Sequence, residues 1–103
     1  MGRTRHMTNQ FKYTVRATNR FKKSAKRIVK RGKDSQKLKD IVDILAKGKK
    51  IADSYKDHPL VGNWQGHREL HIEPDWLLIY KIEENILILE LVDTGTHADL
   101  FGR

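Results

Sequence analysis

The chain has 103 residues and no cysteine. A disulfide framework, a thiolate metal site and a thiol nucleophile are therefore excluded, and the composition fits a reducing compartment. No apolar run approaches the roughly 20 residues that span a bilayer. The N-terminus lacks the apolar core of a signal peptide, which points to a cytoplasmic protein with no membrane partner. Internal repeats and low-complexity segments are also missing. The length allows one domain and no second core. Met1 to His6 carry no structural pattern and are expected to be a cloning remnant or disordered. Met7 reads as the native start, so the domain is expected over residues 7–103.

Acidic residues are scarce in the first half. Residues 1–50 hold 17 Lys and Arg against Asp34, Asp40 and Asp43, a balance of +14. Residues 51–103 hold four basic residues against ten acidic ones, a balance of −6. A basic half beside an acidic, histidine-bearing half suggests docking onto a polyanion. A solvated lysine-rich helix face explains the same charge. A membrane-surface helix does not, because its apolar stripe is needed for a core.

Phe11, Tyr13 and Val15 alternate with Lys12, Thr14 and Arg16, the pattern of a short strand with one buried face. Thr18 or Asn19 is placed to cap a helix whose stripe is Phe21, Ala25, Ile28 and Val29, and Gly32 stops it. Asp34 or Ser35 caps a second helix with Leu38, Ile41, Val42 and Leu45 inward, closed by Gly48. The short connection predicts an antiparallel helix hairpin. Residues 49–66 read as a long loop punctuated by Pro59, Gly62 and Gly66, with a helical turn near Ile51 to Tyr55. Loops of this length in a compact domain are usually functional or mobile.

Strand signals then return. Leu70 and Ile72 face one way, and Glu69, His71 and Glu73 the other. Glu73-Pro74-Asp75 reads as a tight turn. Leu77 to Ile82 is the next strand and Glu83-Glu84-Asn85 turns it. Ile86 to Val92, nearly continuous in apolar residues, reads as a central strand. Gly95 ends it, and His97 to Phe101 is a tail with one helical turn. The predicted fold class is α+β: an N-terminal helix hairpin packed on one face of a small, mostly antiparallel, curved β-sheet. The other face is expected to be open and to carry His71.

Four of the five histidines fall between His58 and His97. RNA is cut without metal when a base takes the 2′-hydroxyl proton, that oxygen attacks the phosphate, and an acid protonates the leaving 5′-oxygen. Histidine suits both proton roles, and a carboxylate serves as base or orients a histidine. His58, His71, Asp75 and His97 are the candidates. Each has a plain explanation taken alone: loop residue, exposed strand residue, turn former and cap. Trp64 and Trp76 are more often core or rim aromatics than base-stacking platforms. His67 and His71 are four apart, a metal-ligand spacing on a helix. On a strand the same spacing spans roughly 13 Å, so one ion does not bridge them. No metal and no cofactor is expected.

The segments D-H-P-L-V-G-N-W-Q-G-H-R-E-L-H-I-E-P-D-W-L-L-I-Y-K and T-G-T-H-A-D-L-F, within residues 57–101, closely resemble the YafQ-type branch of the RelE/ParE toxin superfamily. The resemblance implies a RelE-like fold, and a type II toxin that cuts mRNA held in the 70S ribosome. It also implies a cognate DinJ-like antitoxin, with operator DNA reached through the antitoxin complex alone. His58, His71, Asp75 and His97 match the family's catalytic positions. Trp76 and Phe101 match aromatic positions at the rim of the active site. One position departs. The family pattern has an arginine immediately before T-G-T-H, where this chain has Asp93. An aspartate there would repel the phosphate, and removing one transition-state donor costs on the order of 100- to 1000-fold in rate. Arg68, Lys81, Arg103 or a ribosomal group is left to substitute. Arg68 is the leading candidate, although strand parity puts it on the opposite face from His71. Trp76, Phe101, Arg68 and Lys81 are thus the expected RNA contacts. Two alternatives remain: a catalytically weak member acting as an autorepressor with its antitoxin, and a ParE-like gyrase poison, against which the histidine set argues.

Overall fold

The computed structural model describes residues 11–102. The expected start at Met7, the segment 1–6 and Arg103 lie outside the described residues. The chain runs β1 (Thr14–Ala17), α1 (Asn19–Lys30), α2 (Ser35–Ala46), β2 (His58–Pro59), β3 (Arg68–Glu73), β4 (Trp76–Glu83), β5 (Ile88–Gly95) and α3 (His97–Phe101). The five strands lie in the order β1-β5-β4-β3-β2. β1 pairs with β5 in parallel and the other three pairings are antiparallel. The α+β class, the helix hairpin and the meander β3-β4-β5 are as the sequence predicts.

The helix boundaries follow from side-chain caps. Thr18 accepts the N–H of Phe21 and Asp34 that of Gln36, each satisfying a donor left free in the first turn. Phe21 and Ile28 from α1, with Leu38, Ile41 and Leu45 from α2, are buried against Leu70, Trp76, Leu78, Tyr80, Leu89 and Leu91 of the sheet. Each such side chain contributes about 1.5–3 kcal/mol on burial. Val29, expected in this stripe, is 40% exposed. It lines the cleft between the two helices.

Three local expectations change. The alternation at Phe11, Tyr13 and Val15 buries only Tyr13, because β1 is an edge strand; Phe11 and Val15 stay exposed. The last turn runs on through Leu87, whose φ of 53° is left-handed, so β5 starts at Ile88 and extends to Gly95. The face opposite the helix hairpin is partly covered. Leu77 and Ile79 are fully buried there under Leu100, with Leu60, Trp64, Val92 and Phe101 packed around them. β4 is apolar on both sides, so α3 and the 60–64 loop shield what the hairpin does not.

Two β-bulges redirect side chains near the histidines. One lies between His71 and Glu73. It turns Glu73 away from the face of His71, where strict alternation would put it, and its carboxylate instead meets Lys33 Nζ at 2.6 Å and Lys37 Nζ at 2.8 Å. The other opposes Ile79 and Tyr80 of β4 to Asp93 and Leu91 of β5, leaving Val92 as the extra residue.

Candidate active site

In an antiparallel ladder, directly opposed residues project to the same face. His58 opposes Glu69, Glu69 opposes Ile79, and Ile79 opposes Asp93, which makes one row across four strands. The neighbouring row runs His71, Leu77, Gly95, and His97 follows two residues later at the start of α3. Both rows belong to the face away from the hairpin. Three imidazoles separated by up to 39 residues in sequence therefore meet. The ring centroids of His58 and His71 are 6.5 Å apart, and those of His71 and His97 are 5.7 Å apart.

Each ring has a polar partner. His58 Nδ1 lies 2.7 Å from the carbonyl of Lys56. A carbonyl only accepts, so Nδ1 carries a proton and Nε2 faces the site. Glu69 is 6% exposed and sends Oε1 to within 3.4 Å of His58 Nε2 and 3.6 Å of His71 Nε2. One nearly buried carboxylate thus stands between two imidazoles. Glu69 is absent from the candidates drawn from the sequence. Its position two residues before His71, on the same strand face, is the signal that points to it.

Asp75 sits in the turn between β3 and β4. Its Oδ1 accepts the His97 backbone N–H at 2.9 Å and faces His97 Nδ1 at 2.5 Å. These bonds, the backbone one foremost, hold the Asp75 carboxyl below its ordinary range. The carboxylate thereby fixes His97 by its Nδ1 edge and leaves Nε2 outward. A capping box at Thr96 and Asp99 fixes the same helix end. Asp99 also takes Arg31 Nη1 at 2.7 Å, and this pair lowers its carboxyl from 3.8 to about 2.

The remaining predicted residues fall differently. Phe101 packs edge-to-face on Trp64 with centroids 6.4 Å apart, and it lines a hollow with Leu60, Glu69 and His97. Trp76, expected at the rim, is fully buried in the helix-side core, where its indole N–H donates to Thr94 Oγ1 at 3.0 Å. It holds the sheet together and has no face for RNA. Arg68 opposes Tyr80 on the helix side, as its parity required, and its Nε donates to Asp57 Oδ1 at 2.9 Å. The Tyr80 hydroxyl donates to the other oxygen of Asp57. Lys81 shares the parity of Leu77 and Ile79 but lies toward the far end of β4, 3.2 Å from Glu83. The structure thus brings His58, His71, His97, Asp75 and Phe101 together, and leaves Trp76, Arg68 and Lys81 outside. Asp93 is 3% exposed and its Oδ2 lies 2.8 Å from Arg20 Nε, so its charge is countered. His67 bonds the carbonyl of Trp64 at 3.2 Å, apart from the other three. Among the described residues, no group of three or more His, Asp or Glu side chains has the geometry to hold a metal ion.

Comparisons with known proteins bear on the family and the fold. A family model described as the bacterial toxin of type II toxin-antitoxin system, YafQ, matches residues 13–102. The chain is similar to the mRNA interferase toxin YafQ of Escherichia coli strain K12, with 44% identity over 89 residues, 85% of this chain and 95% of that protein. It is also similar to the crystal structure of YafQ from E. coli strain BL21(DE3), with a TM-score of 0.82 and 41% identity, covering 87% of this chain and 99% of that one. The toxin chain of an E. coli DinJ-YafQ complex matches with a TM-score of 0.80 and 42% identity over 87% of this chain and 99% of that one.

Proposed function

This chain belongs to the YafQ family of bacterial type II toxin–antitoxin toxins, and from that premise we propose that it is an mRNA interferase, cutting by metal-independent acid–base catalysis. The observation that carries the reading is the convergence of three imidazoles, two of them on Glu69 and the third on Asp75. His97 has the closest carboxylate and is the imidazolium that protonates the departing 5′-oxygen. His58, with Nδ1 held by a carbonyl and Nε2 turned to the site beside Glu69, takes the proton of the 2′-hydroxyl. His71 lies between them, beside the phosphate. The hollow at Phe101 receives a base flanking the cut.

Cleavage occurs on mRNA in the ribosome, where the basic helix hairpin grips phosphates. A DinJ-like antitoxin neutralises the toxin, and operator DNA is reached through that complex. The protein acts in the cytoplasm; no helix among the described residues is long and apolar enough to cross a membrane. The autorepressor alternative needs an uncompensated Asp93, and the Arg20 pair weakens that argument. The gyrase-poison alternative leaves the imidazole cluster without a purpose.

The test is to incubate the protein with programmed ribosomes and map new RNA ends. New 5′-hydroxyl ends opposite 2′,3′-cyclic phosphates are expected, with loss on His71→Ala or His97→Ala. Cleavage that both variants retain would overturn the assignment.

A further inference from the structure

Two carboxylates, Glu69 and Asp75, stand against the imidazoles, and among the described residues neither forms an ion pair with Lys or Arg. A phosphate gaining charge in the transition state calls for a cation or aligned N–H donors. Arg68 is committed to Asp57 on the helix side and Lys81 to Glu83.

A cation does reach the row of His58, Glu69, Ile79 and Asp93 from outside the sheet. The Thr18 hydroxyl donates to the carbonyl of Val92, the extra residue of the β5 bulge, at 2.8 Å, and accepts the N–H of Phe21 at 2.9 Å. These two bonds, one to the strand and one to the helix, seat the start of α1 on the bulge and bring Arg20 to Asp93. The Asp93 side chain is 4% exposed and that of Arg20 is 65% exposed. The carboxylate is the buried anchor, and the guanidinium is the presented group.

Local physics argues against finding a cation there for the helix's sake. The first turn of α1 has no acidic residue, and a positive charge near a helix N-terminus opposes the macrodipole at a cost of about 0.3–1 kcal/mol. The pairing with the nearly buried Asp93 carboxylate offsets that cost. Asp93 engages Arg20 through Nε, so the two terminal amino groups remain to fork onto an oxyanion.

We propose that Arg20 is a substrate-phosphate ligand of this site, held in place by Asp93. The inference rests on the RNA-cutting reading and names a further residue for it. Asp93 stands two strands from Glu69, about 10 Å at the usual strand spacing; Leu100 of α3 covers Ile79 between them, so an RNA strand that reaches both passes over α3. Arg20 contacts that strand beside β5, while His58 and His71 work on the β2–β3 side and His97 just past the end of β5.

The experiment is ribosome-programmed mRNA cleavage by Arg20→Gln, Arg20→Lys, Asp93→Arg and the double variant Arg20→Gln/Asp93→Arg. Arg20→Gln is expected to lower kcat/KM about 100-fold. Arg20→Lys keeps the pair with Asp93 but not the fork and is expected to lose about tenfold. The double variant lacks the ion pair yet restores an arginine to the row, and is expected to regain most of the activity. A purely structural pair would not give that rescue. Wild-type kcat/KM in Arg20→Gln, or no recovery in the double variant, overturns the proposal. If Arg20→Gln fails to fold, wild-type kcat/KM in Arg20→Lys overturns it. His71→Ala in the same assay separates the two ideas. If it still cuts, the catalytic reading has failed; if it is dead while Arg20→Gln cuts normally, only the role of Arg20 has.

Discussion

His97 and Asp75 are joined twice through one oxygen: the carboxylate Oδ1 receives the backbone N–H of His97 and also faces its Nδ1 at 2.5 Å. A turn residue on one strand connection thus sets the position of a ring 22 residues later. Asp75→Asn keeps the shape and removes the charge. Cleavage is expected to fall about tenfold to a hundredfold, with KM little changed. An effect on KM alone would mean that Asp75 binds RNA and does not orient His97.

Glu69 stands between two imidazoles while nearly buried. Glu69→Gln removes the carboxylate that faces both rings. A loss of about tenfold in kcat is expected, as for impaired proton transfer. Stability should change little, because the amide still fills the space. A lower melting temperature with unchanged kcat would assign Glu69 to packing.

Asp99 links the short helix that carries His97 and Phe101 to Arg31 at the end of α1. Its carboxyl is lowered from 3.8 to about 2. A depressed carboxyl stabilises the fold above its ordinary value, and that stability is lost as pH falls through the lower one. The contribution is therefore complete above about 3.8 and disappears near 2. Asp99→Asn is expected to cost about 1 kcal/mol at neutral pH and nothing near pH 2, as read from denaturant melts at both pH values. An equal penalty at the two would refute the linkage.

Trp76 is buried with its N–H on Thr94. Trp76→Phe removes one of the two hydrogen bonds of the buried Thr94 hydroxyl and leaves space in the core, and is expected to cost about 1–3 kcal/mol. The folded fraction should cut RNA with unchanged KM. A raised KM at wild-type stability would return the indole to the RNA-binding rim.

The exposed lysines of α1 make ribosome binding a salt-dependent step. Lys26→Gln with Lys30→Gln should weaken binding and flatten the log–log salt dependence. The slope should drop by about 0.9 for each duplex phosphate that is no longer neutralised, and by less for a single strand. An unchanged slope would free the hairpin from that role.

Much of this was legible in the sequence because periodicity and caps are local. Thr18, Asp34, Gly32 and Gly48 bound the helices as their chemistry requires, and the alternation at Leu70, His71 and Ile72 put His71 on the correct face. Features that depend on pairing across the sheet were not legible. β2 is two residues long and has no pattern of its own; it exists because His58 and Pro59 meet Glu69 and Arg68. The bulge that redirects Glu73 leaves no mark on a period-two reading. Trp76 resembles a rim aromatic by its place in the motif, but its parity with Leu78 and Tyr80 puts it in the core. Asp93 resembles a lost cation, and only the fold shows it beside Arg20.

The carboxylate of Asp57, one residue before His58, is tied to Arg68 and to the Tyr80 hydroxyl on the hairpin side of the sheet. Tyr80 is 1% exposed and sits in the core that the two helices complete. The segment that carries the His58 ring is thus moored through the molecule to its opposite layer. A newly made or partly melted chain whose helices have not docked lacks that mooring, so His58 takes its place only once the whole domain has closed.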